Sequence, residues 1–168
     1  MNTQENSLIG VKGIVTLTAR DIAGNIVDQQ RKNLVVNVGK RLLANLTGGL
    51  NGATAVGSIA VGDDNTAASS SDTLLGNEIY REACTASLQT TTTTDDTVRF
   101  SVVLDEGDSS ADGALVEAGL FGGDTASPLD PDDGTGNDTG VLLSHVIFAV
   151  INKTAAISLT IDWDIIFQ

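Results

Sequence analysis

Cysteine, histidine, proline, aromatic residues and basic residues are all scarce in this sequence. The one cysteine, Cys84, excludes an intrachain disulfide, and its ordinary role is that of a small apolar core side chain. The 2 prolines argue against Pro-rich disorder. Aromatics make up only 4% of residues against 41% hydrophobic, so the core must be built from Val, Ile, Leu and Ala. The longest apolar run, Val146–Ile151, is far short of the ~18 residues that a membrane span needs. The first ten residues, MNTQENSLIG, have no basic region followed by an apolar run, so no signal peptide is read there and synthesis in the cytoplasm is expected.

What the chain has instead is acid. The 168 residues carry a net charge of −13, from 17 Asp and 5 Glu against 4 Lys and 5 Arg. Such a chain repels phosphate backbones and anionic lipid surfaces, which excludes nucleic acid and membrane as expected partners. An Asp-rich, Lys-poor surface also suits concentrated brine. At about 1 M salt the Debye length is about 3 Å, so like charges cost little while solubility is kept. A halophilic source is therefore an expectation.

Period-2 alternation dominates the chain. Residues 1–10 read as a polar arm and 11–168 as a single domain. Val11, Val15 and Leu17 share one parity and Lys12, Thr16 and Thr18 the other, which predicts a strand. Ala23-Gly24-Asn25 predicts a hairpin turn into a second strand, Ile26–Gln30. Only Val38, Leu42, Leu43 and Leu46 break into helical spacing, with Asn37 as the expected N-cap and Gly48-Gly49 as the stop. A short strand follows at Ser58–Val61, then one or two helical turns over Leu74–Arg81 capped by Asp72 or Thr73. A Thr-rich strand is expected over Ala83–Thr92, with a hairpin at Asp95-Asp96.

Val98, Phe100, Val102 and Leu104 alternate next, and "ALVEAGLF" carries a further strand or extended turn into Phe121. Residues 122–140 form the long loop. "VLLSHVIFAVI" and "AISLTIDWDIIF" close the chain, the latter with Ile157, Leu159, Ile161, Trp163 and Ile165 on one face. With about eight strands, one helix and no βαβ rhythm, the expected fold is all-β, an antiparallel β-sandwich of jelly-roll type with one short α-helix. A C-terminal strand so apolar on one face must be central, or paired with a neighbouring subunit.

Catalytic constellations are wanting. His145 is the only histidine, and Ser144 beside it points to the opposite strand face, so the two cannot form a nucleophile–base pair. Nothing local supports pairing of Cys84 with His145. The acid pairs Asp63-Asp64, Asp95-Asp96, Asp105-Glu106 and Asp132-Asp133 all fall in expected turns, where Asp caps backbone amides. Asp130–Gly140 fails the helix–loop–helix calcium pattern, with Gly134 fifth, Thr135 sixth and Val141 twelfth. Asp130, Asp132 and Asp133 leave room only for a non-specific cation, and a solvated acidic loop is the plainer reading. No catalytic, cofactor-binding or metal-ligating residue is assigned, and no enzymatic activity is expected.

The stretch "SIAVGDDNTAASSSDTLLGNEIYRE" (residues 58–82) is the most distinctive. It holds a short strand stopped at Gly62-Asp63-Asp64, a small-residue loop, and then Asn77, Glu78, Tyr80 and Arg81, with Glu78 and Arg81 spaced to pair. Before it stands "VVNVG…LL", with Asn37, Gly39, Leu42 and Leu43. After it come "EAGLF" (residues 117–121) and a closing "TIDWDIIF". This order resembles the N-terminal attachment domain of tail-collar and tail-fibre proteins of tailed bacteriophages, over about residues 11–167. The resemblance implies a non-enzymatic virion protein that associates with itself, as a homotrimer or other homo-oligomer, and with other virion proteins. Such chains continue into a shaft and receptor-binding tip, whereas this sequence ends at Gln168, which favours a collar, baseplate or capsid-surface decoration role. The rival expectation is a carbohydrate-binding, lectin-like β-sandwich, for which the scarce aromatics are a handicap.

Overall fold

Alternating burial along the strands builds two antiparallel sheets. The computed structural model describes residues 10–89, 96–122 and 140–168. The expected arm apart from Gly10, together with Asp95, Asp132-Asp133 and almost all of the long loop with its candidate cation residues, lies outside these. Nine strands are described: β1 (Val11–Asp21), β2 (Ile26–Val35), β3 (Ser58–Gly62), β4 (Glu78–Ala83), β5 (Thr85–Gln89), β6 (Thr97–Leu104), β7 (Gly113–Gly122), β8 (Val141–Lys153) and β9 (Ile157–Phe167). They are joined by one helix, α1 (Asn37–Gly48), and a short 3-10 turn at Ser109–Ala111.

One sheet runs β2-β1-β9-β6-β5 and the other β4-β3-β7-β8. They meet where Leu34 and Val35 of β2 pair with His145 and Ser144 of β8. At the other side β4 and β5 are consecutive through Cys84, so the sandwich is nearly closed into a barrel. The all-β antiparallel fold with a single short helix is as expected; this strand order does not establish the jelly roll.

The inward faces are those that the alternation marks. Val15 and Leu17 of β1, Val102 and Leu104 of β6, and Leu159, Ile161 and Trp163 of β9 are all buried in the main core. On the outer face of β9, Asp162 accepts a hydrogen bond from Ser101 and Asp164 pairs with Arg99 at 2.7 Å. This sheet thus presents an apolar face inward and a polar one outward. β9 is central, flanked by β1 and β6, so its apolar face is covered within the chain.

Several local expectations are corrected. The helix begins one residue earlier than its leucine spacing shows, and its N-cap is Val36, not Asn37. Val36 is still extended and fully buried, while the Asn37 amide donates to the Ser70 carbonyl at 2.9 Å. A tertiary bond therefore fills the place of a side-chain cap. The helix ends as expected, at Gly49 in the left-handed conformation (φ 61°), with the Leu50 amide returning to the Asn45 carbonyl. The Ala23-Gly24-Asn25 turn is present, closed by Asp21, whose carboxylate accepts from the Ala23 and Asn25 amides.

Leu74–Arg81 is not helical. Its second half is β4, because the edge of β3 offers Glu78–Ala83 a ladder of hydrogen bonds. The Thr-rich strand is also broken: Cys84 turns out of β4, its amide bonds to the Gly57 carbonyl at 3.0 Å, and β5 begins afresh at Thr85.

A second, smaller apolar cluster sits on the outer face of β3, β7 and β8. It joins Ala60, Phe121, Leu142 and Val36 with Leu75 from the connection between β3 and β4. Burying Leu75 there contributes about 1.5–3 kcal/mol toward holding that connection down.

Candidate functional site

The connection 63–77 is held by a buried chain of charges. Glu117 lies on the outward face of β7 with Gly119 and Phe121, just past a register shift that separates it from the inward Leu115, and is completely buried. Its Oε1 accepts from the Asn77 amide at 2.8 Å and, at a longer 3.4 Å, from the Asp64 amide. Its Oε2 accepts from the Gly76 amide at 3.0 Å and faces His145 Nε2 at 3.0 Å. The other imidazole nitrogen, Nδ1, lies 2.8 Å from Asp72 Oδ2. That carboxylate also accepts from the Ser69 amide, so Asp72 closes its own loop rather than capping a helix.

The two ends of the connection are tied as well. Asp63 accepts from the Asn77 side-chain amide at 2.6 Å, and Asp64 accepts from the Thr66 amide at 2.7 Å. Glycine is required where these parts meet. A Cβ on Gly62 would collide with the Asn77 carbonyl and with Glu117 Oε1, and one on Gly76 would lie 2.6 Å from Asp64.

The geometry favours the imidazolium form of His145. A neutral imidazole has one N–H, so one of its two carboxylate partners would face a lone pair. Burial opposes the charge, but the hydrogen bonds to Glu117 and Asp72 outweigh it and the imidazole pKa rises. Burial likewise opposes ionisation of Glu117, but His145 and the Asn77 and Gly76 amides overcome it and the carboxyl pKa falls.

Chemically the arrangement is a clamp. A cleft of about 330 Å³ beside the loop reaches the ring, lined by Thr66, Ser71, Asp72, Leu75 and Gly76 among others. With both nitrogens donating, His145 has no lone pair left to accept a proton or to bind a metal. Among the described residues no group of three or more His, Cys, Asp or Glu is placed to hold a metal ion. Ser144 pairs with Leu120 on the inner face and does not bond to His145. Cys84 is not a partner of His145 either, and burial pushes its thiol up to about 11, away from the reactive thiolate.

A second buried ion pair lies alongside. Glu78 and Arg81 do pair, at 2.6 Å and nearly fully buried, but on a strand and not on a helix. The register shifts between Val61 and Gly62, so that Ile79 is an extra residue in β4. This bulge turns positions three apart onto one face, which regular alternation forbids. The guanidinium also lies 3.9 Å over the Phe121 ring, covering the small apolar cluster.

Sequence reasoning singled out Asn77, Glu78 and Arg81 and these are all in or beside the clamp. It missed the partnership of Asp72, Glu117 and His145. The usable signal was a lone Glu in "EAGLF" and a lone His in "LLSHVIF", charged or titratable groups inside apolar strands that must find partners if buried.

Comparison with protein-family models, with curated proteins and with solved structures returns no match for the chain.

Proposed function

We propose that this chain is a non-enzymatic structural protein of a tailed virus, a tail-collar, baseplate, fibre-attachment or capsid-surface component, which works as a homo-oligomer bound to other virion proteins. One observation carries the reading. "LLGNE" and "EAGLF", two of the segments on which the resemblance rests, meet at one carboxylate, Glu117, through the amides of Gly76 and Asn77, and Asp64, the residue that follows "IAVGD", reaches the same carboxylate at 3.4 Å. The helix motif before them reaches the same region, through the Asn37 amide on Ser70. The segments are thus parts of one rigid connection, with Asp and Glu side chains spent on backbone amides instead of chemistry.

The lectin-like alternative gains nothing from the geometry. Trp163 and Tyr80, the aromatics best suited to stack on a sugar, are both buried.

Mass analysis of purified virus particles, banded in high salt, tests the proposal. The chain is expected in the particles at a fixed ratio to the major capsid protein. Recovery only from the soluble fraction of infected cells overturns it.

A further inference from the structure

We propose that residues 66–73 are a strap released by alkali: His145 holds Asp72 only while both ring nitrogens carry protons, and loss of one proton frees the strap while the sheets stay closed. This goes beyond the virion reading and does not rest on it. The motive is the inequality of the two carboxylates that the ring joins. The Glu117 side chain is 1% exposed, and besides the ring it accepts from the Gly76 and Asn77 amides. The Asp72 side chain is 24% exposed, and its other partner is the Ser69 amide of its own turn.

A neutral imidazole has one N–H for these two carboxylates. The tautomer with the proton on Nε2 keeps Glu117 satisfied, in a place that water does not reach. It leaves the Nδ1 lone pair facing Asp72 Oδ2 at 2.8 Å, two acceptors at hydrogen-bond distance. The opposite tautomer turns the lone pair on the fully buried carboxylate, which is the costlier choice. Asp72 lines the cleft beside the ring and can turn into it toward solvent. The contact that breaks is therefore His145–Asp72, and the one that stays is His145–Glu117.

The strap has little else to hold it. Its sequence is TAASSSDT, in which Asp72 is the one charged residue and no side chain is large and apolar. All eight residues are exposed except Ala68 and Asp72, which are half-buried. Its flanks are fixed independently of Asp72. On one side the Asp64 amide reaches Glu117, and on the other Leu75 is buried against Phe121 and Leu142. One further bond depends on the strap: the Ser70 carbonyl accepts from the Asn37 amide, the first of α1. Release therefore uncovers the ring and the start of the helix together.

The charged groups facing the ring are all acidic. They are Glu117 from β7, Asp72 from the strap and, acting at longer range, Asp64 before it. From β2 the register partner of His145 is Leu34, and α1 meets β8 at Leu143 through Gly39. The Glu78 and Arg81 charges of β4 pair with each other. Burial opposes the imidazolium, but the carboxylates outweigh it, so release falls above the ordinary 6.5.

His145 is the only histidine, so its ring signals in a nitrogen-15 spectrum of the full chain belong to it without a variant. The titration is run in molar sodium chloride, where surface repulsion is screened. The ring is expected to titrate above 6.5 and to lose its proton from Nδ1. Above that midpoint the Ser69 and Asn37 amides should exchange at least about tenfold faster, relative to free backbone, while those of Gly76, Asn77 and β1 keep their protection. Asp72→Asn offers the neutral ring a donor and is expected to lower the midpoint and abolish the pH dependence of Ser69 exchange. Proton loss from Nε2, a midpoint at or below 6.5, strap protection unchanged across the midpoint, simultaneous opening of β1, or an Asp72→Asn midpoint equal to wild type overturns the strap.

Discussion

Glu117→Gln removes one charge and no volume, and the structure says what it costs. The carboxylate has two oxygens, each accepting from its own donors: Oε1 from the Asn77 amide and more weakly from Asp64, Oε2 from the Gly76 amide and His145. A glutamine amide has one oxygen. In either orientation its NH2 group meets at least one buried backbone N–H head-on. An orphaned buried donor costs about 1–3 kcal/mol, and breaking a buried ion pair about 3–5 kcal/mol, the two counts overlapping here. About 3–5 kcal/mol is a large share of the roughly 5–15 kcal/mol by which domains are stable. At about 2–4 °C per kcal/mol for a chain of this size, Tm should fall by about 6–20 °C.

The pH profile checks the cause. Raised above its ordinary 6.5, the His145 pKa contributes stability that is fully present below 6.5 and lost as pH rises through the folded value. Glu117, lowered from 4.5, contributes stability present above 4.5 and lost as pH falls through its folded value. The pair therefore stabilises most between about pH 4.5 and 6.5. Thermal unfolding from pH 4 to 9 in molar salt should show wild type losing Tm on the alkaline side. Glu117→Gln should be lower throughout and flatter there. A variant within 2 °C of wild type, or one with an unchanged alkaline limb, refutes the clamp.

Three other outcomes are expected. Gly62→Ala drives a methyl into the Asn77 carbonyl and the Glu117 carboxylate, and denaturant unfolding should show a loss of about 1–3 kcal/mol, where a neutral result removes the close approach. Arg81→Ala leaves Glu78 buried without its guanidinium and uncovers Phe121, so calorimetry should show a loss of about 3–5 kcal/mol, against well under 1 kcal/mol for an exposed pair. Sodium chloride raised from about 0.05 to 2 M should raise Tm, because a Debye length falling toward about 2–3 Å screens the −13 surface; a flat or falling series removes the halophilic expectation.

The strands were legible because burial repeats with the pleat. Alternation in β1, β6 and β9 marks their inward faces with no knowledge of neighbours. The lone helix was legible from its leucine spacing, but its start was not, since the group that satisfies Asn37 lies at Ser70. Glu78 and Arg81 misled because a spacing of three signals a helix, and only a bulge opposite Gly62 allows it on a strand. The clamp was illegible for a different reason. Asp72 and His145 are 73 residues apart and Glu117 and His145 are 28 apart, so only the sheet order makes them neighbours.

The clamp and the acidic surface answer the same problem from two sides. A chain of −13 is expected to gain from salt because its surface charges repel over a Debye length. That screening also weakens exposed ion pairs, so a connection fastened by surface salt bridges would loosen in the medium that steadies the rest. Glu117, His145, Glu78 and Arg81 are all buried, where screening by mobile ions is much weaker. Their attraction is preserved at molar salt while the surrounding repulsion fades. The net negative charge is spread over the surface, and the charges that set geometry are withdrawn beneath it. A loop docked in this way is expected to keep one shape from dilute buffer to brine, so that its unfolding midpoint and not its geometry follows the salt.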